Sequence, residues 1–279
     1  MTPDVPAGRF AGRRALVTGA SRGIGAAVAE RLAAEGAAVA LTARTLDADD
    51  RLGGGLAVTA ERLARYRVPV ATVVADLTDD TDRERIVPEA AEALGGPVDV
   101  LVNNAAAAIY QTLAEIPTRR RRLMFEANVH APLDLAQAVI PGMRAAGEGW
   151  IVNVSSRVAQ PWDGPPFALG AHGTTIAAYG ASKAALNRLT NGLAAELYGT
   201  GIRVNTVEPR AAVHTEGADE LVGGSVPADK FELLEAMVEA VVALCACPAD
   251  MTGRRTVSLD LIAEWGLAVH GLDGRPLAP

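Results

Sequence analysis

Aromatic side chains are scarce in this chain of 279 residues, where Phe, Trp and Tyr together make up only 4%. The core must therefore be built mainly from Ala, Val, Leu and Ile, and a hydrophobic content of 49% supplies enough of them. Small aliphatic residues suit a parallel sheet that is covered by helices on both faces. The length fits one large α/β domain or two small ones.

Cysteine is almost absent as well. Cys245 and Cys247 are too few and too close together for a disulfide framework, and the four histidines have no metal-ligand spacing with them. We therefore expect no metal site, and we expect a reducing, cytoplasmic compartment.

An excess of positive charge and long apolar runs are also missing. A net charge of −7 leaves no basic face for the phosphates of a nucleic acid. No stretch approaches the ~18 apolar residues that a membrane span needs, and Met1–Gly12 lacks the apolar segment of a signal peptide. We therefore expect a soluble intracellular protein with no nucleic-acid or membrane partner.

Strand and helix patterns alternate along the whole chain, which predicts βαβ units and one parallel sheet. No repeat or low-complexity linker divides them, so we predict a single domain over residues 1–279, with a loop insertion at about 157–178 and a tail from about 261. The predicted strands lie near 15–18, 38–42, 70–75, 98–103, 150–155, 203–208 and 256–260. The predicted helices lie near 24–35, 57–66, 83–94, 119–143, 178–197 and 230–246.

A glycine-rich turn follows the first predicted strand. Gly19, Gly23 and Gly25 have the spacing G-x-x-x-G-x-G and lead into a helical pattern. Such a junction can bind a pyrophosphate, because glycines let backbone N–H groups approach it and the helix dipole favours its charge. A lone glycine triad is equally typical of a flexible turn.

The segment Tyr179-Gly180-Ala181-Ser182-Lys183 is the second signal. Positions i and i+4 share one face of a helix, so the phenol of Tyr179 and the ammonium of Lys183 can point into one site. A nearby cation favours the ionised phenol, which lowers its pKa from about 10 toward the neutral range where it can exchange protons. Taken alone, the pair also fits a packed tyrosine beside a solvated lysine.

Together the two motifs resemble the short-chain dehydrogenase/reductase family over roughly residues 10 to 260. Thr18–Gly25 is similar to its cofactor turn, Asp76-Leu77 to its adenine contact, and Asn103-Asn104-Ala105 to the motif that closes its fourth strand. The resemblance implies a doubly wound, Rossmann-type sheet of about seven parallel strands. It also implies hydride transfer between a nicotinamide and a carbonyl or alcohol carbon.

The resemblance further implies a catalytic set of Asn128, Ser155, Tyr179 and Lys183. Ser155 would donate a hydrogen bond to the substrate oxygen, and Tyr179 would exchange a proton with it. Lys183 would lower the pKa of Tyr179 and hold the nicotinamide ribose, and Asn128 would anchor a water that resupplies the proton. The cofactor-binding residues that it implies, besides Tyr179 and Lys183, are Gly19, Ser21, Arg22, Gly23, Ile24, Gly25, Arg44, Asp76, Leu77, Asn103, Ala105 and Pro209.

The end of the second predicted strand decides between the two nicotinamide cofactors. An acidic residue there would bind the ribose 2′-hydroxyl. This sequence instead has Arg44, and Arg22 in the glycine turn supplies a second cation on the same side. Guanidinium groups bind phosphate bidentately, so we predict NADP(H). NAD(H) is the less favoured alternative, because Asp47 could fold back toward the ribose.

Several positions depart from the family pattern. Alanine at 106 and arginine at 210 stand where glycine is usual, and no glycine pair follows Asp260. Pocket residues are expected from 107–110, 158–178 and 211–224, which are mostly small or apolar, and this predicts a largely apolar substrate. The polar or aromatic residues among them are Tyr110, Gln160, Trp162, Asp163, His172 and His214.

The leading hypothesis is thus an NADP(H)-dependent reductase of a small ketone or aldehyde. One alternative is a reductase of 3-oxoacyl thioesters, for which the run Arg119–Arg122 could dock an acidic carrier. A catalytically silent nucleotide-sensing regulator is less favoured, because all four catalytic residues are present. We also expect a homo-oligomer, a tetramer or a dimer, that pairs through helices 119–143 and 178–197.

Overall fold

Seven parallel strands form one sheet in the part of the chain that the computed structural model describes, residues 8–47, 54–170, 172–213, 215 and 231–277. Its strand order is β3-β2-β1-β4-β5-β6-β9, so the order reverses between β1 and β4. The strands are β1 (Arg14–Thr18), β2 (Ala38–Ala43), β3 (Val70–Val74), β4 (Val100–Asn103), β5 (Gly149–Val154), β6 (Ile202–Glu208) and β9 (Arg255–Val257). A separate parallel pair consists of β7 (Ala212–Val213) and β8 (Phe231–Glu232).

Helices cover both faces of the sheet, as the sequence predicts. They are α1 (Gly23–Ala34), α2 (Leu56–Ala64), α3 (Asp80–Ala93), α4 (Thr118–Phe125), α5 (Ala131–Ala146), α6 (Ala177–Glu196), α7 (Leu234–Leu244) and α8 (Ser258–Trp265). Alternate strand residues belong to opposite cores: Val17 packs with α1 and α7, whereas Leu16 packs with α3, α5 and α6. In such a sheet, ligands bind beyond the carboxyl ends of the strands near the reversal in order. We call this the carboxyl edge and the opposite one the amino edge.

The long helix predicted at 119–143 is interrupted. Between α4 and α5 the chain forms a π-helical turn over Glu126–His130. Pro132 lacks the N–H that an α-helix would direct at the carbonyl of Asn128, which favours this wider turn. Asn128 therefore lies in the irregular part of the helix.

The prediction for the last strand is wrong at its end. β9 stops at Val257 instead of Asp260, and α8 starts directly at Ser258. Asp260 lies in the first turn of α8, where the helix dipole favours negative charge, and Gly266 ends the helix in the left-handed region with φ of 60°. The tail predicted from residue 261 thus begins inside a helix.

Two short 3-10 turns bound the predicted insertion, at Arg157–Ala159 and Gly173–Ile176. Phe167 in its middle is 61% exposed. The helix predicted from 230 begins at Leu234, and Lys230 lies outside the described residues. None of the helices in the described ranges is both long and apolar enough to cross a membrane.

Candidate active site

The glycine turn is locked against the end of β4. A Cβ atom on Gly19, whose φ is 66°, would lie 2.8 Å from the Cα of Ala105, and one on Gly25 would lie 2.3 Å from the carbonyl oxygen of Gly19. The Thr18 hydroxyl accepts hydrogen bonds from the backbone N–H groups of Asn104 and Ala105, both at 3.0 Å. The turn therefore has a fixed shape that other residues would disrupt, and the Thr18 lock was missed at the level of sequence.

Buried polar atoms without hydrogen-bond partners gather at the carboxyl edge. Among the described residues, Thr42 Oγ1, Asn103 Oδ1 and Ser155 Oγ have no partner, although these residues are only 1%, 3% and 4% exposed. They lie at the ends of β2, β4 and β5. Because buried polar atoms in folded proteins are normally paired, this row marks the edge as a place for a polar ligand.

Lys183 links the predicted catalytic residues. Its Nζ donates a hydrogen bond of 2.7 Å to the carbonyl of Val154, the residue before Ser155, and lies 6.0 Å from the ring centroid of Tyr179. Its side chain is buried, and burial lowers the pKa of Lys183 to about 8. The structure thus brings Tyr179 and Lys183 together at the end of β5, but the serine whose side chain forms a hydrogen bond with the Tyr179 phenol is Ser156 and not the predicted Ser155.

The pKa of Tyr179 differs in direction from the sequence-based prediction. Burial raises the pKa of this phenol above its ordinary value, and the neighbouring Tyr110 adds to the rise, whereas a hydrogen bond from the Ser156 side chain opposes it. This direction is opposite to the expected lowering by Lys183, because desolvation by burial is the largest cause of the shift. The phenol is protonated at neutral pH.

Asn128 acts through its side chain as a clamp. The amide accepts a hydrogen bond from the backbone N–H of Ala107 and donates one to its carbonyl, both at 2.8 Å, and also donates to Ser182 Oγ at 2.9 Å. Ser182 in turn donates to the carbonyl of Tyr179 at 2.7 Å. The side chain thus joins the segment after β4 to α6 and uses both of its N–H donors for this. The role of Ser182 was not foreseen.

The predicted cofactor-selecting arginines lie at the same edge. Arg44 follows β2 and is exposed, and Arg22 is the half-buried N-cap residue of α1. Among the ion pairs between described residues, none involves either guanidinium. A Cβ on Gly54 would lie 3.2 Å from Cβ of Arg22, so the segment before α2 packs on the glycine turn.

Asp76 and Leu77 build the turn that opens α3. Oδ1 of Asp76 accepts hydrogen bonds from the N–H and the hydroxyl of Thr78, at 2.9 and 2.8 Å. The carbonyl of Leu77 accepts one from Arg83 at 2.9 Å. Both residues lie just after β3, next to β2 and Arg44.

Arg210, which departs from the family pattern, is part of a second clamp. Its backbone N–H donates to Glu232 Oε2 at 2.8 Å, and its guanidinium forms an ion pair with Asp260. Glu232 is buried, and burial raises its pKa. This clamp fixes the chain after Pro209 to β8 and α8. His214 and residues 216–224, which were expected to line the pocket, lie outside the described residues.

Aromatic rings surround the phenol of Tyr179. The ring centroid of Tyr110 lies 6.2 Å from that of Tyr179 and 4.9 Å from that of His172. Ala107, Ile109 and the buried Ile116 complete an apolar cluster beside them. The wall of the site is therefore largely apolar, with the Tyr110 hydroxyl and the His172 imidazole as polar groups.

Comparisons with known proteins agree with this geometry. The sequence pattern of the short chain dehydrogenase family matches residues 13–222. The chain is 31% identical to hydroxysteroid dehydrogenase-like protein 2 of Bos taurus over 277 residues, 98% of this chain and 63% of that protein. It is 35% identical to L-xylulose reductase of Bos taurus over 263 residues, 90% of this chain and 96% of that protein.

Solved structures give the same picture. A short chain dehydrogenase of Mycobacterium thermoresistibile superposes with a TM-score of 0.79 at 28% identity, covering 95% of this chain and 92% of that one. A 3-oxoacyl (acyl-carrier-protein) reductase of Agrobacterium tumefaciens with NADP bound superposes with a TM-score of 0.72 at 31% identity, covering 89% and 93%. The chain belongs to the short-chain dehydrogenase family of oxidoreductases. It spans only 63% and 54% of the bovine and mouse hydroxysteroid dehydrogenase-like proteins.

Proposed function

We propose that the protein is an NADP(H)-dependent reductase that converts a carbonyl carbon of a largely apolar small molecule into an alcohol. The pairing of Tyr179 with Lys183 at the end of β5 carries this proposal. The phenol can give its proton to a substrate oxygen, and the ammonium lies 6.0 Å from the phenol ring, where it stabilises the phenolate that remains.

The chain's own residues supply orientation and proton transfer. A serine at the end of β5 donates a hydrogen bond to the substrate oxygen: Ser155, the residue expected from the sequence, has a buried hydroxyl with no partner among the described residues, whereas Ser156 is the serine whose side chain bonds the Tyr179 phenol. Tyr179 gives its proton to the same oxygen, where negative charge develops. The Lys183 ammonium lies close enough to stabilise the phenolate that remains. The nicotinamide, when bound, supplies the hydride.

The carboxyl edge fits such a cofactor. A Cβ atom at Gly19 or Gly25 would clash with neighbouring backbone atoms, so the turn keeps a shape in which glycine backbone N–H groups can approach a pyrophosphate. The row of buried atoms without partners among the described residues continues from there toward Ser155. Asp76, Leu77, Asn103, Ala105 and Pro209 follow strand ends along the same edge. Arg22 and Arg44, neither of which forms an ion pair with a described residue, favour a 2′-phosphate, and hence NADP(H) over NAD(H).

The substrate class follows from the apolar wall. Ile109 and Ile116 favour an apolar body, and Tyr110 and His172 offer one or two hydrogen bonds. The alternative is a 3-oxoacyl thioester, which is favoured by the exposed run Arg119–Arg122 on α4 and by the likeness to a 3-oxoacyl (acyl-carrier-protein) reductase.

We also propose a homo-oligomer, a tetramer or a dimer. Leu123 on α4 and Leu189 on α6 are 38% and 36% exposed, and an apolar groove runs between α5 and α6. A second copy covering these helices would bury that surface. A monomeric mass in light scattering at micromolar concentration would contradict this.

NADPH oxidation, followed by absorbance, tests the function. We expect turnover with apolar ketones or aldehydes, and little with NADH in place of NADPH. Faster turnover of 3-oxoacyl thioesters would select the alternative. Cofactor binding without turnover on any carbonyl would indicate a regulator instead.

A further inference from the structure

A buried carboxylate lies beside the catalytic serine without an assigned role. Glu208 ends β6 and is only 1% exposed. Ser155 N–H donates to the carbonyl of Val207 at 2.8 Å, and Val154 is paired with Val207 in the sheet register. Glu208 is therefore the lateral neighbour of Ser155, and the two side chains lie on the same face of the sheet, toward α6.

The amide of Gln160 lies between Glu208 and an arginine. The groups around this amide set its orientation: the oxygen accepts from Nη1 and Nη2 of Arg255 at 2.5 and 2.7 Å, and the nitrogen faces Glu208. Apart from this amide, neither oxygen of Glu208 has a hydrogen-bond partner among the described residues. We call Glu208, Gln160 and Arg255 the β6–β9 relay.

The relay holds one end of the segment between Ser155 and Tyr179. Gln160 directly follows the 3-10 turn Arg157–Ala159. The carbonyl of Val158 in this turn packs on Gly180, where a Cβ atom would approach it to 2.3 Å. The turn therefore touches α6 at the residue after Tyr179, and Ser156 at its start forms a hydrogen bond with the Tyr179 phenol.

A buried carboxylate with one neutral hydrogen-bond donor contributes little to stability, since desolvation offsets most of the attraction to a neighbouring arginine. Its geometry, however, is specific: an amide with a donor at one end and an acceptor at the other fits this gap in only one orientation. From these contacts we infer that the β6–β9 relay positions the Ser155–Ala159 segment against Tyr179, so that Gln160 and Glu208 are positioning residues of the catalytic site. The inference rests on the proposed reductase function.

Gln160→Met tests the relay, because it keeps the length of the side chain but removes all three hydrogen bonds of the amide, and Gln160 is only partly buried, so folding is retained. We expect kcat to fall at least about tenfold while KM for NADPH changes less than about twofold, since a misplaced catalytic pair slows the reaction more than cofactor binding. Glu208→Gln retains an oxygen that accepts from Gln160, and we expect it to keep at least about half of the wild-type kcat.

Gln111→Met is the matched control. Gln111 is also partly buried, and its amide oxygen likewise accepts from an arginine, Arg120, at 3.1 Å. We expect wild-type kinetics for this variant. Equal losses of kcat in Gln160→Met and Gln111→Met, or a kcat of Gln160→Met within about twofold of wild type, would overturn the inference. An equal loss in Glu208→Gln and Gln160→Met would overturn it as well, because charge rather than hydrogen bonding would then be required.

A second measurement does not depend on activity. Arg157 is exposed, so limited trypsin digestion reports on how firmly the turn is held through the yield of the fragment ending at Arg157. We expect cleavage there to be at least about fivefold faster in Gln160→Met than in wild type, and unchanged in Gln111→Met. Faster cleavage of Gln160→Met, together with a wild-type enzyme that is inactive on every carbonyl, would support the relay and contradict the proposed function. Unchanged cleavage of Gln160→Met, together with an active wild-type enzyme, would overturn the relay and support the proposed function.

Discussion

The two edges of the sheet treat buried charge in opposite ways. At the amino edge, Arg31 and Glu239 are 1% and 2% exposed and fully paired: Nη2 of Arg31 lies 2.9 Å from Glu239, and its Nε lies 2.6 Å from Glu35. At the carboxyl edge, Ser155 and Glu208 are as deeply buried, but among the described residues Ser155 has no partner for its hydroxyl and Glu208 has one neutral amide.

The difference teaches which edge is built for stability and which for chemistry. At the amino edge, hydrogen bonds of Arg31 connect α1 to Glu239 on α7 and to the chain after α8. The buried charges there therefore have protein partners and need no ligand. Unpaired groups at the carboxyl edge cost stability, and the pKa values of its titratable groups are shifted by burial. Substitutions at one edge should therefore change folding, and those at the other should change turnover.

The largest expected effect is the loss of turnover in Tyr179→Phe. Removal of the proton donor should lower kcat by about 10³-fold, or ~4 kcal/mol, while the NADPH dissociation constant stays nearly unchanged. Tyr198→Phe is the control, because Tyr198 is 74% exposed at the end of α6. If Tyr179→Phe kept more than about a tenth of the wild-type rate, Tyr179 would lose the role of acid.

The matching substitution at the amino edge is Glu239→Leu. It leaves the buried Arg31 without one carboxylate, so the free energy of unfolding should fall by about 3 kcal/mol. Urea denaturation measures this loss, and kcat per folded molecule should stay within about twofold of wild type. Glu264→Leu, which breaks an exposed pair with Arg254, should cost less than about 1 kcal/mol. A large fall in kcat for Glu239→Leu would contradict the view that the amino edge affects folding stability and the carboxyl edge affects turnover.

Cofactor choice gives a smaller effect. Arg22→Ala and Arg44→Ala should each reduce the preference for NADPH over NADH about tenfold, because each removes a charge-assisted contact worth about 1.5–3 kcal/mol. Ratios of kcat/KM for the two cofactors measure it. Arg144→Ala, an exposed arginine on α5, serves as the control. Comparable Michaelis constants for NADPH and NADH in the wild type would contradict the NADP(H) assignment.

The pH dependence gives the smallest change. Burial lowers the pKa of Lys183 to about 8, so its ammonium form predominates below that pH and is lost above it. The pH profile of kcat/KM, which reports the free enzyme, should therefore fall as pH rises through about 8. Lys183→Arg should be slower but should lack this alkaline limb, since a guanidinium stays charged. If the fall of kcat/KM at alkaline pH persisted unchanged in Lys183→Arg, the titrating group would be one other than Lys183.

Local patterns accounted for most of the fold. Buried apolar runs such as Arg14–Thr18 end at glycine or asparagine, so both the strands and the edge where ligands bind could be predicted. The π-helical turn at Asn128 could not, because helical periodicity continues through it and only Pro132 signals the break. Helix α8 was not predicted, because residues 256–260 look like one continuous strand, although pairing with β6 stops at Val257.

The Tyr179-x-x-x-Lys183 pair could be predicted because its spacing is local, whereas the environments of the two side chains depend on distant residues. The shift in the pKa of Tyr179 comes from burial and from Tyr110, neither of which the Tyr-x-x-x-Lys spacing reveals. Glu208 is a second example. An acidic residue at the end of a buried strand can be noticed in the sequence, but its partners Gln160 and Arg255 cannot be predicted because they lie far away along the chain.

The fold-back of the chain after α8 has a practical consequence for biosensor construction. Gly271 N–H donates to the carbonyl of Arg275 at 2.7 Å, and His270 and Pro276 form an antiparallel bridge, so this segment is a compact hairpin seated beside Arg31. A fluorescent reporter or an immobilisation handle joined on its C-terminal side would leave from the amino edge. It would face away from the carboxyl edge, where the candidate active site lies.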